Sequence, residues 1–263
     1  MRKLISKDKN KKLIVFDLDG TLAESKSAID REMGRLLRQL LQKKMVAVIS
    51  GGKLAQFQKQ IIARLNASPT LLKNLFLFPT ISMAFYRYRG KKLVKVYAHE
   101  FTKSEKEKIF RAFDAAFKKT KYVHPKKVYG TIIEDRGTQI TFSALGQNIV
   151  DVLGMKGVHL KEKWAKTDPR PQIMEAMKPY LKGFEVASGG LTSIDVTRKG
   201  IDKAYGVRQI KQHLRVPIRD MLFVGDRIFP GGNDYPALKT SVEYVQVAGP
   251  IETKKLIRFL IRS

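Results

Sequence analysis

The sequence predicts an α/β protein: a parallel-sheet core interrupted by an inserted α+β domain. In residues 1–86 and 198–263, short apolar runs rich in β-branched residues alternate with stretches of helical periodicity, which indicates parallel strands joined by helices. Between residues 87 and 197, hairpins and helices follow one another without that alternation. We therefore predict a core domain of residues 1–86 and 198–263 and an inserted domain of residues 87–197.

The first part of the core is predicted to have the order strand, helix, strand, helix, strand, which implies a right-handed parallel layout. The apolar run LIVF is the first strand, MVAVIS the second and NLFLF the third. A helix from Lys53 to Leu65 is predicted between the second and third strands. Between the first two strands, apolar residues at helical spacing predict a helix that ends at Lys43 and Lys44. These apolar residues are Ile29, Met33, Leu36, Leu37, Leu40 and Leu41.

The later elements are marked by turn and capping residues. Thr102 and Glu105 form a capping-box pattern for a helix to about Lys119. Glycine-containing turns predict three hairpins, at Arg89-Gly90 within residues 81–98, at Arg136-Gly137 and at Gly189-Gly190. The remaining predicted elements are helices at 169–181 and 202–214, strands at 221–226 and 242–247, and a closing helix to Arg262.

Composition excludes several classes of protein. At 263 residues with 43% hydrophobic residues, the chain is long and apolar enough to bury a core. The absence of cysteine excludes disulfides and thiolate metal sites, and the four histidines are too scattered to predict a zinc site. No apolar stretch has the length of a membrane span or the pattern of a signal peptide, so we expect a cytoplasmic protein without membrane contact.

The net charge is strongly positive. Lysine and arginine number 51 against 24 acidic residues, which gives +27. Part of this excess is regional, because residues 87–127 contain 14 basic and 4 acidic residues. One interpretation is a solvated lysine-rich surface; the other is attraction of phosphorylated ligands or non-specific contact with nucleic acid.

Asp17 and Asp19 lie two positions apart where the first strand ends, in the segment FDLDGT. Open α/β sheets bind ligands at this edge. One carboxylate can attack phosphorus as a nucleophile while its neighbour exchanges protons with the leaving group and water. Two anions so close favour a cation, and magnesium is the hard, oxygen-seeking ion that accompanies phosphate. The alternative interpretation is a strand followed by an Asp-Gly turn.

Three further segments end strands or begin helices with polar residues. Ser50 follows the second strand, and its hydroxyl with the amides of Gly51-Gly52 suits phosphate oxygens. Lys203 opens a helix, where an ammonium group could neutralise a phosphoryl group. Asp226 follows a late strand as a candidate metal ligand, and Asn233 with Asp234 lies in a Gly-rich loop that could orient the site. Taken singly, these residues also fit a helix N-cap, a surface lysine and a plain loop.

Together, FDLDGT, the strand-final Ser50, Lys203 and GDRIFPGGND resemble the four motifs of the haloacid dehalogenase superfamily of phosphotransferases. The resemblance implies a Rossmann-like core and these roles: Asp17 as nucleophile, Asp19 as general acid/base, and Ser50 and Lys203 as phosphate-binding residues. It also implies magnesium held by Asp17, the Asp19 carbonyl and Asp226. We add Thr21, Gly51 and Asn233 as predicted phosphate or substrate contacts.

The inserted domain follows the third strand and resembles the α/β cap of one subgroup of this superfamily. That subgroup includes sugar-phosphate phosphatases and eukaryotic-type phosphomannomutases. The likeness to the mutases extends over PKKVYGTIIEDRG and SGGLTSIDV. This likeness implies that Arg136, Ser193 and Asp195 contact a hexose phosphate. Arg136 also fits a hairpin turn, and Asp195 could form an ion pair with a neighbouring basic residue. Where the mutases carry arginines, this chain has three other residues: Lys26, Tyr129 and Gln147.

The leading hypothesis is a magnesium-dependent phosphatase that acts on a sugar phosphate or a similar small phosphorylated metabolite. The second is a phosphomannomutase. The third is a nucleic-acid-binding protein or a polynucleotide-end phosphatase. Two observations disfavour it: the sequence has no recognition-helix signature, and only 9% of its residues are aromatic. The sequence leaves the substrate's identity and the oligomeric state open.

Overall fold

The computed structural model describes residues 6–25 and 27–262. Lys26, one of the three positions at which the resemblance to the mutases predicts an arginine, therefore lies outside the described residues. The described residues form two compact units, one comprising those up to Ala98 together with those from Ile201, and the other comprising His99–Gly200. Among these residues, no helix combines the length and apolar character that crossing a bilayer requires.

The strands in chain order are β1 (Leu13–Phe16), β2 (Met45–Ile49), β3 (Leu75–Phe78), β4 (Ala84–Arg89), β5 (Lys92–Ala98), β6 (Ile133–Asp135), β7 (Ile140–Ser143), β8 (Phe184–Gly189), β9 (Ser193–Arg198), β10 (Met221–Gly225) and β11 (Glu243–Gln246).

The helices in chain order are α1 (Ser6–Lys9), α2 (Arg31–Lys43), α3 (Leu54–Phe57), α4 (Ala63–Leu65), α5 (Pro69–Leu72), α6 (Pro79–Ser82), α7 (Lys103–Thr120), α8 (Ile149–Leu153), α9 (Met155–Ala165), α10 (Arg170–Met177), α11 (Lys203–Leu214) and α12 (Pro250–Ile261). A π-helical turn, Gln58–Ile62, joins α3 to α4, and 3₁₀ turns lie at Lys178–Tyr180, Ile218–Asp220 and Tyr235–Thr240.

The first unit is built on a seven-stranded sheet of order β11-β10-β1-β2-β3-β4-β5. The first five strands in this order are parallel, as predicted, and β4 and β5 are antiparallel. All residues of β1, β3 and β10 are buried, because helices cover both faces of a parallel sheet. The α/β class is confirmed.

The hairpin of β4 and β5 belongs to this sheet, which differs from the sequence-based division. That division placed the inserted domain at residues 87–197, directly after the third strand. In the structure β4 pairs with β3 through Phe76↔Arg87 and Leu77↔Tyr86, so the first unit extends to Ala98 and the second begins at His99. The hairpin pattern alone does not reveal which sheet edge it joins.

Helix α2 illustrates how the sequence pattern determines a core element. Asp30 is its N-cap, and the Asp30 side chain accepts a hydrogen bond of 2.8 Å from the Met33 amide. The predicted apolar stripe is buried against the sheet, where each buried leucine contributes roughly 1.5–3 kcal/mol relative to exposure. The buried apolar members of the stripe are Ile29, just before the N-cap, and within α2 Met33, Leu36, Leu37, Leu40 and Leu41.

The second unit contains a four-stranded antiparallel sheet of order β6-β7-β9-β8, the predicted α+β arrangement. Thr102 and Glu105 form the predicted capping box at the start of α7. Helices α8 and α9 were not predicted. Their sequence shows little helical patterning because Gly154 and Gly157 interrupt it and because Val152, Met155 and Leu160 are exposed.

Candidate active site

The carboxyl ends of three neighbouring strands meet at one edge of the seven-stranded sheet. β1 lies between β10 and β2, with Phe16 opposite Val224 on one side and Val48 on the other. Asp17, Ser50 and Asp226 each lie one residue beyond the strand that positions them. Adjacent parallel strands therefore bring together residues that are up to 209 positions apart in the sequence.

Lys203 is buried between two carboxylates. Its Nζ atom donates a hydrogen bond of 2.5 Å to Asp17 Oδ1 and another to Asp234 Oδ1. The lysine is 1% exposed, which excludes the surface-lysine interpretation. Its position is fixed by the start of α11, where the Asp202 side chain accepts a hydrogen bond of 2.8 Å from the Tyr205 amide.

The charges of this cluster perturb one another. Burial raises the pKa of Asp17 to about 8, against the opposing effect of the Lys203 ammonium group. Burial alone would lower the pKa of Lys203, but the charges of Asp17 and Asp234 overcome it and raise the pKa. The pKa of Asp226 is also raised, by burial and by the charge of Asp234. The site therefore holds more negative charge than the protein alone neutralises.

Carboxylate oxygens of Asp17, Asp226 and Asp234 lie within 4.8 Å of one another. Hard oxygen donors in this arrangement fit a hard divalent cation such as Mg²⁺, and the raised pKa values of Asp17 and Asp226 agree with a site that lacks positive charge. Asp234 is fully buried and Asn233 is exposed. Of the two loop residues, Asp234 is therefore the one that faces the cluster, and the role of Asn233 as a substrate contact stays a prediction.

The turn after β1 packs closely on Asp226. Gly20 has a φ of +83°, and a Cβ atom there would lie 2.6 Å from Asp226 Oδ2, so the position requires glycine for both its conformation and its contacts. Thr21 is buried, and its Oγ1 atom donates to Asp226 Oδ1 at 3.5 Å. Thr21 thus contacts the predicted metal ligand, while its contact with substrate stays a prediction.

Ser50 lies in a buried loop rather than at a helix cap. The N-cap of α3 is Lys53, and the Ser50 hydroxyl instead accepts a hydrogen bond of 3.2 Å from the Gly52 amide. Two residues of α6 hold the loop that contains Gly51: the Thr80 amide donates to the Gly52 carbonyl at 2.9 Å, and the Ile81 amide to the Ser50 carbonyl at 3.0 Å. The geometry thus places the Ser50 loop beside the end of β3.

Two glutamines that the sequence analysis did not single out contact Asp19. The Gln56 Nε2 atom lies 3.3 Å from Asp19 Oδ2, and the Gln60 Nε2 atom lies 3.2 Å from Asp19 Oδ1. Their four-residue spacing in a predicted helix that follows the Ser50 loop was the available signal, since such residues share a helix face.

In the second unit, the predicted residues Ser193 and Asp195 share a sheet face. They lie opposite Ser143 and Thr141, and the side chains meet across the strands: Ser143 Oγ is 2.8 Å from Ser193 Oγ, and Thr141 Oγ1 donates to Asp195 Oδ1 at 2.7 Å. One partner of Asp195 is therefore a hydroxyl group.

Arg136 is engaged by neighbouring side chains of the same unit. Its Nε atom donates to Glu134 at 2.8 Å, and one of its terminal nitrogens donates to Gln147 Oε1 at 3.1 Å. Gln147 is one of the three positions at which the resemblance to the mutases predicts an arginine, and here its amide oxygen accepts a hydrogen bond from Arg136.

Comparisons with known proteins agree with this geometry. The family model of the haloacid dehalogenase-like hydrolases matches residues 14–248. A phosphomannomutase of Encephalitozoon cuniculi is 28% identical over 260 residues, covering 94% of this chain and 92% of the relative. A phosphomannomutase of Saccharomyces cerevisiae is 25% identical over 236 residues, covering 87% and 85%.

Among solved structures, IMP-nucleotidase of Plasmodium falciparum aligns with a TM-score of 0.68 at 16% identity, covering 98% of this chain and 70% of that one. Trehalose-6-phosphate phosphatase of Aspergillus fumigatus aligns with a TM-score of 0.55 at 17% identity, covering 98% of both chains. At these identities, the structures support the fold alone. The sequence comparisons and the site's geometry together lead to one conclusion: the chain belongs to the haloacid dehalogenase-like hydrolases, in their phosphomannomutase-like group.

Proposed function

We propose that this protein is a magnesium-dependent phosphatase that hydrolyses a sugar phosphate or a similar small phosphorylated metabolite through an aspartyl-phosphate. The observation that carries the proposal is the buried Asp17, hydrogen-bonded to Lys203 at 2.5 Å and close to the carboxylates of Asp226 and Asp234. A nucleophilic carboxylate needs a cationic surrounding before a dianionic phosphate can approach it.

The reaction has two steps. A carboxylate oxygen of Asp17 attacks phosphorus as the bond to the leaving oxygen breaks, and Asp19 donates a proton to that oxygen. Asp19 then takes a proton from water, whose oxygen attacks phosphorus and displaces the Asp17 carboxylate, releasing inorganic phosphate.

The residues around this centre have supporting roles. The Lys203 ammonium group and the Ser50 loop with Gly51 bind phosphoryl oxygens, and Thr21 holds Asp226. Asp17, the Asp19 carbonyl and Asp226 would hold Mg²⁺, with Asp234 in reach of the same position. When bound, the ion supplies positive charge that offsets the charge of the phosphoryl group.

The second candidate function is a phosphomannomutase, which the relatives' names favour. A mutase must retain a hexose bisphosphate between its two phosphoryl transfers, and arginine pairs suit that task. Here Arg136 is paired with the carboxylate of Glu134, and Gln147 and Tyr129 carry no positive charge. This arrangement supports hydrolysis as the main outcome, with Ser193 and Asp195 as proposed sugar contacts.

The test measures hydrolysis and isomerisation in the same reaction mixture. The protein is incubated with mannose 1-phosphate, magnesium and a trace of hexose bisphosphate, and mannose 6-phosphate is measured beside inorganic phosphate, with Asp17→Asn as the control. We expect phosphate release to dominate; predominant formation of mannose 6-phosphate would assign the mutase function.

A parallel phosphate-release screen covers sugar phosphates, nucleotides, small phosphorylated acids and a 5′-phosphorylated oligonucleotide. Turnover of small substrates that is unaffected by added RNA supports the proposal. Turnover of the oligonucleotide alone would contradict it and favour a polynucleotide-end phosphatase.

A further inference from the structure

Two glutamines donate one hydrogen bond to each oxygen of the Asp19 carboxylate. Gln60 Nε2 lies 3.2 Å from Oδ1, and Gln56 Nε2 lies 3.3 Å from Oδ2. We propose that Gln60, assisted by Gln56, is a positioning residue that orients Asp19 for proton transfer to the leaving group. The inference rests on the proposed function, in which Asp19 is the general acid/base.

The orientation of the Gln60 amide is fixed by a second acceptor. Its Nε2 atom also donates to the carbonyl oxygen of Ser27 at 2.6 Å. Because a carbonyl oxygen only accepts, the amide nitrogen must face Ser27, and the same nitrogen then reaches Asp19. Gln60 thus links Asp19 to the backbone carbonyl of Ser27.

This orientation carries a cost that packing alone does not explain. Gln60 is 1% exposed, and its Oε1 atom has no hydrogen-bond partner within the described part of the chain. A buried acceptor without a partner is unfavourable, and an apolar side chain of similar size would avoid it. What this position requires is therefore the amide's donor group.

The local fold brings both amides to one carboxylate. Gln56 lies in α3 and Gln60 in the π-helical turn Gln58–Ile62, a type of turn that occurs often at functional sites. A Cβ atom at Gly52 would lie 2.3 Å from Gln56 Oε1. The missing side chain at Gly52 therefore leaves room for the Gln56 amide.

Neutral amides suit an acid/base residue. Each amide donates a hydrogen bond to one carboxylate oxygen and itself adds no charge beside it. A general acid must lie within about 2.6–3.2 Å of the atom that it protonates. Asp19 is only partly buried, and the two hydrogen bonds restrict the rotation of its carboxylate away from that position.

The experiment uses two aryl phosphates that differ in their need for a proton. 4-Nitrophenolate leaves without protonation, whereas the more basic phenolate departs faster when an acid protonates it. The value of kcat/KM, which reports the steps through leaving-group departure, is measured for 4-nitrophenyl phosphate and phenyl phosphate with wild type, Asp19→Asn, Gln60→Met and Gln56→Met. The matched control is Gln58→Met, an exposed glutamine of the same helical segment.

We expect Asp19→Asn to lose about 10²-fold or more on phenyl phosphate and much less on 4-nitrophenyl phosphate. Gln60→Met should reproduce that selective loss at about tenfold, and Gln56→Met more weakly, while Gln58→Met retains both activities. Thermal unfolding checks each variant; if Gln60→Met does not fold, the partly exposed Gln56 carries the test.

The two ways of failing are distinguishable. Equal loss on both substrates in the glutamine variants, with a selective loss in Asp19→Asn, would overturn the positioning role and leave the proposed function standing. Equal loss on both substrates in Asp19→Asn would overturn the acid role of Asp19, and the inference with it.

Discussion

The ammonium group of Lys203 lies 2.5 Å from the carboxylate of Asp17, although 186 positions separate the two residues in the chain. Lys203 and Asp234 are at most 1% exposed, and Asp17 is 3% exposed. The buried ammonium group is both a structural and an electrostatic element, because removing it takes away the positive charge beside the Asp234 carboxylate and the hydrogen-bond donor of Asp17.

The first prediction concerns this buried ammonium group. Lys203→Met should lower the free energy of unfolding by about 3–5 kcal/mol in metal-free buffer, since Asp17 and Asp234 remain buried without their partner. Urea denaturation measures it, with Lys211→Met, an exposed lysine of the same helix, as the control. Equal stability of the two variants would contradict the structural role of Lys203.

The second prediction concerns the nucleophile. Asp17→Asn should lower kcat by at least about 10⁴-fold, because an amide neither attacks phosphorus nor binds a cation as a carboxylate does. Circular dichroism should show an intact fold, since the two side chains have nearly the same size. A variant that keeps a tenth of the activity would remove Asp17 as the nucleophile.

The third prediction links pH to magnesium. The pKa of Asp17 is raised from 3.8 to about 8, so between these values the folded state binds a proton that the unfolded state has lost. The stability that Asp17 contributes is therefore full below pH 4 and is lost as the pH rises toward 8. The metal-free protein should accordingly lose stability over this range.

Magnesium should restore that stability, because it binds the ionised carboxylates. We expect a larger rise in Tm at pH 8 than at pH 5 when Mg²⁺ is added; at 100-fold above Kd the gain is about 2.7 kcal/mol. Asp226→Ala, which removes a predicted ligand, should require more Mg²⁺ for the same shift. A magnesium response that is equal at both pH values would argue against this linkage.

The fourth prediction concerns close packing behind the site. A Cβ atom at Gly206 of α11 would lie 2.2 Å from Ser82 Oγ and 2.7 Å from Ile49 Cδ1. In an open helix, Gly→Ala gains about 0.8–1.0 kcal/mol. Here we expect Gly206→Ala to destabilise by about 1–3 kcal/mol, because α11 must move away from α6.

Ser82→Gly supplies the check on that explanation. Ser82 has a φ of +71°, a conformation that favours glycine, and its buried hydroxyl has no hydrogen-bond partner within the described residues. We expect Ser82→Gly to raise Tm and the double variant to regain part of the stability that Gly206→Ala loses. If the two effects are simply additive, the close contact is not the cause.

The sequence by itself determined the elements that local pattern controls. The apolar run before Asp17 predicts a buried strand, the spacing of Met33, Leu36 and Leu40 predicts α2, and Thr102 with Glu105 predicts the start of α7. Asp17, Ser50, Lys203 and Asp226 were found because strand ends and helix starts place polar residues at a known edge of an α/β sheet. These are features that a single element carries.

The tertiary structure alone decided what depends on contacts between elements. Three features have no local signature: the sheet edge that receives β4 and β5, the burial of Asp234 against Lys203, and the pairing of Arg136 with Glu134 and Gln147. The spacing of Gln56 and Gln60 predicts that they share a helix face, but only packing shows that this face meets Asp19. A hydrophilic side chain in the sequence predicts a surface position. Lys203, Asp234 and Gln60 are nevertheless buried, because residues far away in the sequence pack around them.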